Sequence, residues 1–354
     1  MKAISRTESF FREQLLYWHL HINTRSLPWK EETDPYKIWL SEIILQQTRA
    51  EQGLPYYQRF IRQYPDVSRL ALAPQEEVFR LWQGLGYYSR CKNLLRSAQL
   101  IHSDYDGKFP DTYEELLRLP GVGAYTAAAI ASFAFGLPHA VVDGNVYRVL
   151  ARFFGIDLPV DTTDGKKHFA ALAARLLDLQ DPAAYNQALM DFGAVVCKPK
   201  LPLCESCPLS GHCVAFKKEM ISLLPVKSKR LTVKNRQFHY LVLRHGRQWY
   251  IQERQDKDIW QHLFEFYLIE TEDDVRESLP WKSLLPAALH QPERVFEHQQ
   301  RLTHQLIHST FYSLKLRYKP ALLNNSGIWV DQDEIKNFAF PQTIISFFTQ
   351  NNYF

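Results

Sequence analysis

From Glu8 to about Leu224 the apolar residues recur mainly at helical spacing. Asp34-Pro35 supplies an N-cap followed by proline at the first helical position, which predicts a helix running through Trp39, Leu40, Ile43, Ile44 and Gln47. Further starts and stops are marked by Pro65-Asp66, Ala73-Pro74, Gly84 to Gly86, Pro110-Asp111, Pro120-Gly121, Asp143-Gly144 and Asp181-Pro182. No alternating strand precedes residue 235, so the first 225 residues are expected to be all-α. The period then changes. Phe238 to Leu243, Gln248 to Gln252 and Phe264 to Ile269 alternate or run β-rich, with Arg244-His245-Gly246-Arg247 as a hairpin turn. Phe311 to Tyr318 alternates as well, and Pro341 to Phe348 predicts a closing helix. Residues 237–354 are therefore expected to form a separate α+β domain. Between the two regions, Val226 to Arg236 holds five basic residues (Lys227, Lys229, Arg230, Lys234, Arg236) and no acid, as a solvated linker would.

Composition narrows the class. In 354 residues, 42 Lys+Arg against 38 Asp+Glu give a net charge of +4, and 46% of positions are hydrophobic. Disordered, collagen-like and disulfide-scaffold classes are excluded. The longest uncharged apolar stretch, Ala127 to Pro138, falls well short of the ~20 residues of a membrane span, and the first residues hold no signal-peptide core. A soluble, intracellular, cytoplasmic protein with no membrane partner is expected. The slight positive charge permits a nucleic-acid partner without requiring one.

Four of the five cysteines, Cys197, Cys204, Cys207 and Cys213, fall within seventeen residues at the spacing C-x6-C-x2-C-x5-C. Pro199, Pro202 and Pro208 interrupt this segment, so it reads as a tight loop able to turn four sulfurs toward one centre. In a reducing compartment that leaves zinc or an iron–sulfur cluster, and the single C-x2-C pair fits either. Cys91 stands alone and reads as a small buried residue.

Leu116 to Leu119 is followed by Pro120-Gly121-Val122-Gly123 and then by the Ala-rich stretch Tyr125 to Phe135. One helix ends, the glycines turn the chain, and a new helix begins with unpaired N–H groups suited to phosphate. An ordinary corner between two helices would share this pattern. Twenty residues beyond Gly123, Asp143 sits where an N-cap belongs, and the adjoining N–H groups and helix dipole are expected to keep it ionised. Glu42, with Ile38, Trp39 and Leu45 at i−4, i−3 and i+3, sits in an apolar setting that would raise its pKa and leave it a proton donor. Capping explains the first carboxyl alone, and a helix-edge position the second. Together they form the acid and charge stabiliser that glycosidic-bond cleavage requires.

Leu119-Pro120-Gly121-Val122-Gly123-Ala124-Tyr125-Thr126-Ala127, Val142-Asp143-Gly144-Asn145-Val146-Tyr147-Arg148-Val149 and the cysteine cluster resemble the helix-hairpin-helix DNA glycosylases of the endonuclease III superfamily. Ser41 to Thr48 and Gly84 to Leu94 resemble its adenine DNA glycosylase branch, the MutY family. The resemblance implies a multi-domain chain. An all-α glycosylase region would span 1–225, with a six-helix core at about 28–135 and a cluster-bearing part at 1–27 and 136–225. A linker at 226–236 would precede a NUDIX-like domain at 237–354. It also implies a [4Fe–4S] cluster on the four clustered cysteines, and a monomer acting on double-stranded DNA, close to the nucleoid, at adenine mispaired with 8-oxoguanine or guanine.

Site roles follow from the same resemblance. Glu42 would protonate the flipped adenine, Asp143 would stabilise the oxocarbenium-like sugar, and Tyr125 and Asn145 would hydrogen-bond these carboxyls and the water. Arg25, Trp29, Leu45 and Gln187 would line the adenine pocket. Gln47, Thr48, Leu85 and Tyr87, with the Gly121-Val122-Gly123 hairpin, would grip or wedge the DNA. Tyr125 stands where the lyases of the superfamily carry a lysine, and a phenol cannot form a Schiff base, so a monofunctional enzyme is expected.

The C-terminal region resembles the NUDIX-like domain by which this family recognises 8-oxoguanine, most clearly at Asp258 to Phe266. Nothing between Trp260 and Pro286 supplies the acidic cluster a hydrolytic NUDIX box needs for Mg²⁺. Leu302-Thr303-His304 stands in place of the family's Phe-Ser-His lesion-reading loop, keeping a hydroxyl and losing the aromatic ring. Three rival readings are an endonuclease III-like glycosylase/lyase, which Tyr125 disfavours, a NUDIX hydrolase, which the absent box disfavours, and a non-enzymatic DNA-binding iron–sulfur protein, which the two carboxyls disfavour.

Overall fold

Short polar side chains and prolines set where the helices begin. In the computed structural model, which describes residues 4–228, 232–323 and 326–353, Ser5 and Glu8 form a reciprocal capping box ahead of the first helix, α1 (Arg6–His21). Asp34 caps α2 (Pro35–Leu45) with Pro35 at its first position, as expected. That helix stops before Gln47, whose φ of +59° lies in the left-handed region and cannot continue a right-handed turn. Next come α3 (Ala50–Gln63), α4 (Val67–Ala71), α5 (Gln75–Trp82), α6 (Tyr88–Asp104) and α7 (Tyr113–Leu116). They are followed by α8 (Ala124–Phe135), α9 (Gly144–Phe154), α10 (Thr163–Leu176), α11 (Pro182–Val195) and α12 (Val214–Lys217). Side chains of Asp66, Thr112, Asp143, Thr162 and Asp181 cap α4, α7, α9, α10 and α11. Among the described residues the first strand begins at Lys234, so the expected all-α region is helical throughout. No described helix is long and apolar enough to cross a membrane.

The chain divides into two compact units, Met1–Leu72 with Asn93–Arg230, and Ala73–Lys92 with Leu231–Phe354. In the first, α1, α9, α10 and α11 share a core in which Phe11 and Leu15 meet Phe153 and Phe169, and Trp18 meets Phe192 edge-on at 5.0 Å. Residues Thr126 to Ser132 of α8 are all buried. Small side chains there let α2 pack closely against α8, which sets the site described below.

The second unit holds a seven-stranded sheet ordered β3-β2-β1-β6-β5, with β4 also on β1 and β7 on β2. The strands are β1 (Lys234–His245), β2 (Gln248–Glu253), β3 (Phe264–Glu265), β4 (Tyr267–Glu270), β5 (Glu293–Arg301), β6 (Gln305–Lys315) and β7 (Ile328–Asp331). The expected hairpin closes through a two-residue loop, Gly246-Arg247, between Arg244↔Trp249 and His245↔Gln248 pairs. The β1–β6 pair is parallel, and the remaining pairs are antiparallel. A short helix, α13 (Leu279–Leu284), lies between β4 and β5, and the expected closing helix is α14 (Gln342–Gln350). Strands β5 and β7 escaped the sequence reading. β5 is largely exposed and polar, so it lacks the alternation that marks a strand with one buried face, and β7 spans only four residues.

The basic stretch 226–236 also differs from a solvated linker. Lys229 and Arg230 lie outside the described residues, whereas Lys234 to Arg236 open β1. Arg236 is buried, its guanidinium bonded to both carboxylate oxygens of Glu270 and of Asp258 at 2.6–3.0 Å.

Candidate active site

The acid of the site is built where α2 packs against the small side chains of α8. Glu42 lies mid-way along α2, only 6% exposed, and accepts a 2.6 Å hydrogen bond from Tyr125 Oη in the first turn of α8. Burial pushes the Glu42 carboxyl up to about 7, the nearby Asp143 charge adds to the rise, and the Tyr125 bond only partly opposes it. The Tyr125 phenol is held well above its usual range, first by burial and then by the Glu42 and Asp143 charges, so it is a neutral donor. Asp143 lies near enough for its charge to raise both Glu42 and Tyr125, while the hydrogen bond from Tyr125 goes to Glu42.

Asp143 caps α9 by accepting from Val146 N–H at 2.7 Å and also accepts from Asn145 Nδ2 at 2.7 Å. These bonds favour the carboxylate, yet burial outweighs them and Asp143 lies above its ordinary value. The capping bonds alone would lower this group, and burial at its tertiary position decides the direction of the shift. Asn145 is itself fixed, since its Oδ1 accepts from Arg148 Nη2 at 2.7 Å, and Arg148 also donates to Gly193 O and to Cys197 O at 2.7 Å each. A side chain on Gly193 would press within 2.6 Å of Asn145 Cβ, so α11 meets the first turn of α9 backbone-first. Arg148 lies inside the Val142 to Val149 motif; its linking role is absent from local pattern because its partners are distant in sequence.

The residues expected at the adenine pocket lie on α2, on α11 and on the connection between α1 and α2. Leu45 stands one turn beyond Glu42 on α2, packed against Gly53, and Trp29 meets Tyr57 edge-on at 5.3 Å. Arg25 Nη1 donates to Asp191 Oδ1 at 2.7 Å, and Asp191 follows the expected Gln187 by one turn of α11. Asp191 was missed by sequence reasoning, because a lone carboxylate on an amphipathic helix looks like a solvated one, yet its side chain is fully buried.

Gly121, with φ +78°, makes the hairpin turn; any Cβ there would lie 2.7 Å from that of Asn93. Gly121 and Gly123 are exposed ahead of α8, while Val122 is 6% exposed. Gln47 is exposed, and the neighbouring Thr48 N–H closes a turn onto Leu45 O at 3.1 Å.

In the second unit, Tyr87 is 46% exposed with φ +49°, whereas Leu85 is only 5% exposed. Leu85 is thus a packed residue, and of the two expected wedge residues in this unit Tyr87 alone is presented to solvent. Tyr87 Oη hydrogen-bonds Thr303 Oγ1. Thr303 lies in the three-residue Leu302–His304 connection from β5 to β6, and both residues border a cavity of about 490 Å³ with Lys92, Trp260, His262 and His304.

Cys197, Cys204, Cys207 and Cys213 line one small pocket with apolar walls that include Val196 and Phe216. Burial raises the Cys207 thiol to about 12 and also raises Cys204 and Cys213. Arg152 Nη1 donates to Cys197 Sγ at 3.5 Å, and Cys213 Sγ to Arg152 O at 3.5 Å. Among the described residues no three Cys, His, Asp or Glu donors gather closely enough to grip a single ion. Cys91 is fully buried, as expected, with its thiol raised by burial.

The chain is similar to known proteins in both of its parts. The HhH-GPD superfamily of base excision DNA repair proteins matches residues 40–175, and the NUDIX domain matches residues 239–350. The chain is 31% identical to an adenine DNA glycosylase of Buchnera aphidicola subsp. Schizaphis graminum over 337 residues, covering 94% of this chain and 96% of that protein. Over 217 residues it is 43% identical to the adenine DNA glycosylase of Mus musculus, covering 59% of this chain and 42% of the mouse protein. Among solved structures, a thermostable thymine-DNA glycosylase superposes with TM-score 0.56 at 32% identity, over 60% of this chain and 98% of that one. A non-covalent endonuclease III–DNA complex, with TM-score 0.52 and 23% identity over 60% of this chain and 96% of that one, shares the fold.

Proposed function

Since this chain belongs to the adenine DNA glycosylases, enzymes of base-excision repair, we propose that it hydrolyses the N-glycosidic bond of adenine mispaired with 8-oxoguanine or guanine, without a lyase step. The observation that carries the chemistry is the Glu42–Tyr125–Asp143 grouping: an acid raised to about 7, a neutral phenol on it at 2.6 Å, and a second carboxyl close enough to act on both.

Adenine has to leave the stack before any side chain reaches its sugar bond. Glu42 then gives its proton to N7, and the C1′–N9 bond breaks with its electron pair passing to the base. The positive charge left on the sugar is balanced by the Asp143 carboxylate, which Asn145 holds through the hydrogen bond at 2.7 Å. Water attacks C1′ and its proton passes to solvent. Tyr125 orients Glu42 and supplies no amine, so the DNA strand stays intact. The exposed Gly121-Gly123 turn ahead of α8 offers backbone N–H groups to phosphate, which positions the duplex without reading sequence.

The four cysteines would hold a [4Fe–4S] cluster. Their donor chemistry fits it: four thiols share one apolar pocket, burial raises Cys204, Cys207 and Cys213, and a metal centre is what turns such groups into thiolates. When bound, the cluster supplies a rigid crosslink for the 197–213 loop. Cys204→Ser is expected to abolish the brown visible absorbance and weaken DNA binding; an unaltered spectrum removes the cluster.

The sheet-bearing unit is the lesion reader in this proposal, with Thr303 offering a hydroxyl to the oxidised purine and Tyr87 stacking beside it. Incubation with A:8-oxoguanine, A:G, T:G and thymine-glycol duplexes, scored for base release with and without alkali, tests the reading. Adenine release from the first two, with strand cleavage only after alkali, is expected. Release of a pyrimidine in preference, or cleavage without alkali, would refute it.

A further inference from the structure

The connection between α1 and α2 carries Arg25 and Trp29, and it is held to α11 through one carboxylate. Asn23 Nδ2 donates to Asp191 Oδ2 at 2.8 Å, Arg25 Nη1 to Asp191 Oδ1 at 2.7 Å, and Lys30 Nζ approaches Asp191 Oδ2 at 3.0 Å. The connection is also laced to itself, with Arg25 N–H on Asn23 Oδ1 at 3.0 Å and Lys30 Nζ on Arg25 O at 2.8 Å. The Asp191 side chain is completely buried, while those of Arg25 and Lys30 keep 28% and 17% exposure.

A buried carboxylate costs desolvation that cations and N–H groups must offset, and a well-packed apolar residue would serve packing alone as well or better. What the charge adds here is direction. It fixes Asn23, Arg25 and Lys30 of this connection while leaving the outer parts of the two cations toward solvent. Helix α11 carries Gln187 one turn before Asp191 on the same face, and Gly193 two residues after it, against Asn145. One helix therefore sets the separation between Arg25, Gln187 and the first turn of α9.

We infer that Asp191 is a positioning residue of the excision pocket: it touches no substrate, and through Arg25 and Lys30 it holds the 23–30 connection where the extruded nucleotide is gripped. This rests on the adenine-excision reading. Asp191→Asn keeps the volume but turns an amide N–H₂ toward Asn23 and Lys30. Because a misplacement of about 1 Å can cost ~10²-fold, single-turnover adenine release from an A:8-oxoguanine duplex is expected to fall by about 10- to 100-fold. Binding of that duplex, measured in a Glu42→Gln background, is expected to change by less than about threefold.

The readout that a merely structural role would not move is a double-mutant cycle with Arg25→Ala. If Asp191 acts through Arg25, the double variant is no slower than the slower single one. Effects that multiply, or an Asp191→Asn rate within about twofold of the parent, overturn the inference. If Asp191→Asn does not fold, Asn23→Ser combined with Lys30→Met loosens the same connection from its outer side. A parent-like rate in that variant overturns the inference equally, and a loss of about tenfold or more supports it. A parent enzyme that releases no adenine sinks the excision reading itself, whereas an active parent with an unimpaired Asp191→Asn sinks only the positioning role.

Discussion

Glu42→Gln is expected to lower single-turnover adenine release by about 10²- to 10⁴-fold while leaving mismatch binding intact, because general-acid catalysis is removed and shape is kept. Glutamine retains an acceptor for the Tyr125 Oη bond, so the α2–α8 packing survives. The parent should show the matching pH profile. Release that needs protonated Glu42 is maximal below pH 7 and falls tenfold per pH unit above it, since the carboxyl sits at about 7. Loss of ionised Asp143 sets the acid limb.

Stability moves the other way. With its folded pKa raised above the unfolded value of 4.5, Glu42 is tolerated while protonated and becomes an unpaired buried charge as pH rises through about 7. Above that point its ionisation costs ~3 kcal/mol, so Glu42→Gln is expected to melt higher than the parent at pH 8 and nearly with it at pH 5. Thermal melts at the two pH values check this, and an equal difference at both would mean that the acid does not titrate as a buried group.

Asp143→Asn is the second large effect. Asparagine caps helices about as well as aspartate, so the bond from Val146 N–H and the start of α9 should persist, with melting shifted by less than about 1 kcal/mol equivalent. Adenine release should nevertheless fall by about 10²-fold or more, because the sugar's developing charge loses its counterion. Single-turnover kinetics beside a melting curve separate the two roles of this side chain. A variant that turns over at the parent's rate reduces Asp143 to a helix cap, and one that unfolds shows that the cap needs the charge.

Much of the protein is legible along the chain because its signals are local. Asp34-Pro35 and Asp181-Pro182 start helices with their own backbone chemistry, and Gly246-Arg247 closes a hairpin between alternating strands. The apolar neighbours of Glu42 foretold an acid with a raised pKa, and the spacing of four cysteines foretold a shared pocket, since each pattern lies within one element or loop. Strand β5 escaped because a strand with little buried surface carries no period.

Other features depend on which distant segments meet. Residues 83 apart bring the Tyr125 phenol to Glu42, and burial in that company turns Asp143 upward against its own capping bonds. Arg236 reads as a linker cation, yet it is enclosed by two carboxylates; Asp191 reads as a surface acid, yet it is sealed beneath Arg25 and Lys30. The chain by itself therefore determined the helices, the turn residues and the clustering of the cysteines, and marked Glu42 as a carboxyl in an apolar setting. Tertiary structure alone decided which charges are buried and what faces them, because desolvation and Coulomb energies depend on distance through space, and a linear pattern records only distance along the backbone.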